Sequence, residues 1–255
     1  RLLRVESRAS VQPGQIRLYA ENNARATYIS HMSPQSYVSA ATYANSVARW
    51  SDSFTIDGGA LNGTLGHLVA GFRVDGTLAA NYDDSINSRH NVHISDEYRA
   101  WLRLLNPPAG QDVWLEGGQR RYINKDGDRW WAPSGSMPTR APGLWTIAID
   151  FKFGTPISLE MYGDISNRAI AFACGSSGCY MTSSLSSTAD FGLSWGGFLG
   201  LTDSSGNPVS GYSVSSLSGF DYRFSAPVPE PSAALLLLAG LGLMGGLARR
   251  RLNGR

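Results

Sequence analysis

Gly192-Leu193-Ser194-Trp195-Gly196 has the spacing of a nucleophile elbow, in which a serine is presented on a sharp strand-to-helix turn. Its surroundings argue against that chemistry. An elbow needs a helix after the serine, whereas Gly197-Phe198-Leu199-Gly200 follows; His31, His67, His90 and His93 all precede Ser194, against the hydrolase order of serine, acid, histidine. His90 and His93 could approach a metal with Asp83, Asp84 or Asp96 as a third ligand. Residues three apart point to opposite faces of a strand, however, so joint coordination would need a helix or a turn there. Asn124-Lys125-Asp126-Gly127-Asp128 alternates oxygen donors in the manner of a calcium loop, but the glycine is misplaced for an EF-hand and Gly135 stands where the bidentate glutamate belongs. Glu97 and Glu116 could be named as a glycosidase pair, a role that depends on carboxylate separation in space. Exposed loop histidines and a polar turn account for these patterns. No catalytic residue, metal site or cofactor is therefore expected, and the protein is expected not to be an enzyme.

Trp114, Trp130 and Trp131 lie in a polar stretch with Glu116, Arg120, Arg121, Tyr122 and Arg129. Aromatic rings stack on sugar faces while acids and guanidinium groups bond hydroxyls, so an exposed cluster of this kind would make a polysaccharide-binding module. The same tryptophans buried in a core would need no ligand. In Cys174-Gly-Ser-Ser-Gly-Cys179 the small residues let the chain double back, and an oxidising compartment would close a short disulfide loop. Two free thiols are the other reading, and two cysteines supply only half the ligands of a structural zinc site.

The elements that must position these residues read as strands. The 255 residues suffice for one large domain, and 29 glycines with only 16% charged residues tilt the composition away from helix bundles. In residues 144–153, Trp145, Ile147, Ile149, Phe151 and Phe153 share one face and Asp150 and Lys152 the other, the period of a half-buried strand. Gly154-Thr155-Pro156 breaks it, and residues 157–162 resume the alternation. Similar readings apply to residues 15–19, 53–56, 66–74, 168–173, 211–217 and 220–224, each bounded by Gly, Pro, Asn or Asp. Residues 37–50 lean to strand, and residues 97–105 suit helix and strand alike. Many short strands joined by turns predict an all-β antiparallel sandwich, jelly-roll-like, over residues 1–226.

The end of the chain differs from everything before it. Val228-Pro229-Glu230-Pro231 leads into an uncharged segment from Ser232 to Ala248, followed by Arg249, Arg250 and Arg251. A helix over residues 232–248 would be roughly 25 Å long, a marginal span of a ~30 Å hydrocarbon core. Arginines after the segment anchor that end in the cytoplasm and place the body on the far side of the inner membrane. Each proline restrains the residue before it, so the motif stays extended outside the helix. The formal net charge of +2 belongs to this tail. Four of the 22 basic residues and one of the 20 acidic ones lie beyond residue 226, which leaves the body at −1 and gives no basic face for nucleic acid.

Motif, apolar segment and arginine cluster, in that order and spacing, resemble the PEP-CTERM sorting signal of Gram-negative bacteria. The resemblance implies an exported exosortase substrate, with Pro229, Glu230 and Pro231 as the processing signal, a transmembrane sorting helix and residues 227–255 as the signal region. It also implies removal of the helix by that membrane transpeptidase and delivery to the cell surface or to an extracellular, exopolysaccharide-rich biofilm matrix. Trp50-Ser51-Asp52-Ser53-Phe54-Thr55-Ile56-Asp57-Gly58-Gly59 is similar to the early strands of many such substrates, and residues 201–222 to their last hairpin. These passengers are diverse, so the resemblance supplies a β-sandwich and an address but no activity; the alternative to a plain surface protein is the carbohydrate-binding module of the Trp114–Trp131 region.

Overall fold

A computed structural model describes residues 2–27, 37–82, 92–107, 113–124, 127–131, 137–174 and 182–226. The sorting tail, Cys179, His90, Asp83 and Asp84 lie outside the described residues. Alternating burial builds the body. In β8 (Gly143–Lys152) Trp145, Ile147, Ile149 and Phe151 are buried while Leu144, Thr146 and Ala148 are exposed, as the period of two requires. β1 (Leu2–Gln12) and β2 (Gln15–Thr27) form a hairpin: Pro13 presets the first turn position, and Gly14, at φ +71°, supplies the left-handed second.

The remaining strands among the described residues are β3 (Tyr37–Asp57), β4 (Leu65–Tyr82), β5 (Val92–Leu104), β6 (Trp114–Asn124), β7 (Gly127–Trp131), β9 (Pro156–Cys174), β10 (Thr182–Asp203) and β11 (Ser213–Ser216), with a 3-10 turn at Gly59–Leu61. One sheet has the order β1-β2-β10-β4-β8 and the other β11-β3-β9-β5-β6-β7, and every adjacent pair of strands is antiparallel. The sheets stack with β2 over β9 and β3, β1 over β3, and β10 over β9 and β5. The expected two-sheet all-β architecture is present. Among the described residues no helix is long and apolar enough to cross a membrane, and the segment expected to do so lies outside them.

Several expectations are sharpened or changed. Of residues 97–105, open between helix and strand, 97–104 fall in β5, and residues 37–50 extend into a 21-residue strand. The strands are long rather than many and short, because several glycines that read as boundaries sit inside them. A Cβ on Gly163, on the inner face of β9, would strike Leu18 and Leu193 of the opposite sheet, so this glycine lets the sheets close rather than ending a strand. Residues 220–224 are not a strand but a turn, which drops the Tyr222 ring into the core.

Among the described residues two apolar cores lie between the sheets. The larger holds Trp195, Phe54, Phe72, Tyr98, Phe191 and Tyr222; the smaller is rich in alanine, with Ala24, Ala26, Ala169, Ala171 and Ala173 beside Ile94, Ile123 and Leu185. A buried polar layer separates them. Asn22 of β2 donates to the Asn167 side chain of β9 at 2.9 Å, and the Ser187 hydroxyl of β10 donates to the same amide oxygen, tying one sheet to the other. Asp96 of β5 pairs in register with Asn167 and is fully buried.

Candidate binding face on the second sheet

On β5, alternation turns Ile94, Asp96, Tyr98, Ala100 and Leu102 inward and Ser95, Glu97, Arg99, Trp101 and Arg103 outward. The register then fixes the rows of the outer face. Trp101 lies between Tyr162 of β9 and Glu116 of β6, Arg103 between Glu160 and Trp114, and Arg99 opposite Asp164. Trp101 stacks on Trp114 at 5.1 Å and on Tyr162 at 4.8 Å between ring centroids, with interplanar angles of 23° and 8°. At such separations near-parallel rings stand offset-stacked as a cross-strand ladder. The Arg103 guanidinium lies 5.1 Å from the Trp101 ring and 5.8 Å from Trp114, while Arg49 of β3 stands 6.0 Å from Trp101.

The same arginines are tied to acids. Arg103 donates to Glu160 through Nε at 2.9 Å and Nη2 at 2.8 Å, Arg49 pairs with Glu160 at 3.3 Å, and Arg99 bonds Asp164 and approaches Glu97 at 3.5 Å. Glu97, Glu160 and Asp164 are buried beneath these cations although they sit on the outer face. Burial pushes the Asp164 carboxyl up, against the pull of Arg99, and raises the neighbouring Tyr162 hydroxyl. The result is an outer face of alternating rings and guanidinium groups, its carboxylates buried beneath them.

Trp114 is 41% exposed and heads one end of this plane; Trp131, 54% exposed, pairs with Arg120 at the other. Arg120 follows Trp114 by six residues on β6, so the two tryptophans are roughly 20 Å apart along the strand direction. The three tryptophans grouped by sequence therefore divide. Trp130 pairs with Arg121, on the inward parity of β6, and lines a separate cleft of about 250 Å3 with Tyr98, Gln119 and Phe191. None of the three is a buried core tryptophan, so the reading that places them in a sandwich core does not hold. The sequence grouping missed Trp101, Tyr162, Arg99 and Arg103. Their signal was the alternation Glu97, Arg99, Trp101, Arg103, which is legible once residues 97–105 are taken as a strand.

The other candidates resolve individually. Ser194 is buried within β10, which continues through it, so it sits on no strand-to-helix elbow. His93 faces outward, its Nδ1 3.1 Å from the Tyr122 hydroxyl and its ring edge-on to Phe172; burial and then Arg168 lower its pKa. Asp96 lies on the opposite face from His93 and cannot join it as a ligand. Among the described residues no three His, Cys, Asp or Glu side chains converge as a metal site. Asp128 is engaged by Arg121 at 2.8 Å. Glu97 and Glu116 sit on rows four residues apart, roughly 13 Å along the strands, wider than the ~5–10 Å of a glycosidase pair. Cys174 ends β9, and its predicted partner Cys179 is outside the described residues.

Residues 227–251 match the PEP-CTERM protein-sorting motif. The chain is a PEP-CTERM domain-containing protein. The match takes in Pro229-Glu230-Pro231, the apolar segment and Arg249–Arg251, and it marks an exported protein that is a target of exosortase, a membrane enzyme. No curated protein and no solved structure matches the chain. That body hands over to the motif at a fastened point: the Ala226 amide donates to the Trp195 carbonyl at 2.8 Å, one residue before the matched segment begins.

Proposed function

We propose that this PEP-CTERM protein is a polysaccharide-binding protein of the cell surface or extracellular matrix, tethered to the inner membrane by residues 232–248 until exosortase processes it. It works by binding and not by catalysis. One observation supports the reading: two exposed tryptophans stand at the ends of one sheet face, with the Arg99, Trp101 and Arg103 rows held rigid between them by buried carboxylates. A flat, pre-ordered plane of rings and donors of this length suits an extended sugar polymer, whose rings stack and whose hydroxyls accept from guanidinium groups. A polymer carrying carboxylates would gain further from the arginines.

The division of the tryptophans supplies the test. Binding to a panel of bacterial exopolysaccharides is measured for the full chain, for Trp114→Ala plus Trp131→Ala, and for Trp130→Ala. The double variant is expected to lose binding by at least about tenfold, in keeping with ~1 kcal/mol or more for each stacked ring, while Trp130→Ala binds as the parent does. Equal loss in both variants, or binding in neither parent nor variant, overturns the reading.

A further inference from the structure

β1 ends the first sheet, and among the described residues no strand pairs with its outer side. Gln12 and Gln15 face each other across the two-residue turn, so the even-numbered residues of β1 direct their backbone groups to β2. The amides and carbonyls of Leu3, Val5, Ser7, Ala9 and Val11 are left along the open edge. The side chains of these same residues form one face of the strand, and Leu3, Val5 and Val11 are 51%, 48% and 45% exposed. Arg4, Glu6, Arg8 and Ser10 occupy the other face. Eleven residues of regular strand with an exposed apolar face are what natural sheets avoid at an edge unless something covers it.

We propose that a second copy of this chain covers it, β1 pairing antiparallel with β1 about a twofold axis at Ser7. This register overlaps the whole strand and uses only the backbone groups left free by β2. It sets Leu3 against the partner's Val11 and Val5 against the partner's Ala9 on the apolar face, and Glu6 against the partner's Arg8 on the polar face. Each contact occurs twice, as a closed twofold interface demands. The charges select this register. With the axis one residue earlier, Glu6 meets the partner's Glu6 and Arg4 meets the partner's Arg8; one residue later, Arg8 meets the partner's Arg8. Two five-stranded sheets thereby join into one continuous sheet. The pairing is independent of the polysaccharide reading, since β1 and the Trp114 face belong to different sheets.

The test is a charge swap read by molecular mass. The full chain, purified in detergent, is examined by sedimentation velocity over a range of concentrations, with circular dichroism as the check on folding. The parent is expected to be a dimer. Glu6→Arg and Arg8→Glu each place like charges opposite one another twice and are expected to weaken the dimer at least about tenfold. The double variant E6R/R8E restores opposite charges in this register and is expected to regain the parental affinity; if one single variant misfolds, the other and the double still decide. A monomeric parent, a dimer indifferent to both single swaps, or a double variant no better than the singles overturns the pairing.

Discussion

Asp96 sits on the inner face of β5 with no exposed surface. Burial pushes its pKa up to about 7; Ser187 and the Arg121 charge pull the other way, and Asp128 adds to the rise. Below about pH 4 the group is neutral whether the chain is folded or not, and its contribution to stability is at its best. As pH rises toward 7 the unfolded chain ionises first, so stability falls by up to roughly 4 kcal/mol and stays reduced above the folded pKa. Asp96→Asn carries no proton to lose. Thermal unfolding of parent and variant should coincide near pH 4 and separate by roughly 10 °C at pH 8 in favour of the variant; a gap independent of pH would contradict this. Asp164 shifts in the same direction, and Asp57, Asp203 and Asp221, held low by hydrogen bonds, in the other, so the comparison with the variant isolates Asp96. At this scale the sequence showed residue types but not partners. Glu97 and Glu116 read as a possible acid pair until β5 and β6 paired them with different neighbours, and Trp130 and Trp131, adjacent in sequence, take opposite sides of β7 because a strand alternates.

Among the elements, the closing segment after β10 does more than its short strand suggests. β11 pairs with only the last residues of β3, yet the turn behind it buries Tyr222. The Tyr222 ring stacks on Phe54 at 4.3 Å and meets Trp195 edge-on at 5.3 Å, and its hydroxyl donates to Asp52 at 2.8 Å. A chain ending at Ala226 keeps all of these contacts and should unfold at the parental temperature. One ending at Leu217 loses the ring and the hydroxyl and should be less stable by about 3–5 kcal/mol, measured by denaturant unfolding of the two truncations. Equal stability would show that the segment is not part of the body. Alternating apolar runs such as residues 144–153 were legible as strands because period two is written into the residue order. The lengths of β9 and β10 were not, because a glycine inside a strand and one ending it look alike until the facing side chain is known.

At the scale of the molecule, body and tail follow different physics. The tail is recognised by linear features, so its fate should depend on a few residues. Mass spectrometry of the protein from its native host should find a mature C-terminus lacking Arg249–Arg255, and Pro229→Ala plus Glu230→Ala should leave them in place. Arginines retained on the parent protein would leave an unprocessed anchor instead. The residue order by itself determined the address, because two prolines, an uncharged segment and a cationic end act through chain-local stiffness, hydropathy and charge. It also determined the all-β character, through alternation. Only the tertiary structure decided which aromatic and charged side chains share a face, where Asp96 is buried and which edge is left open. Those facts depend on strand register and on the sheet packed opposite, brought together from residues more than a hundred positions apart.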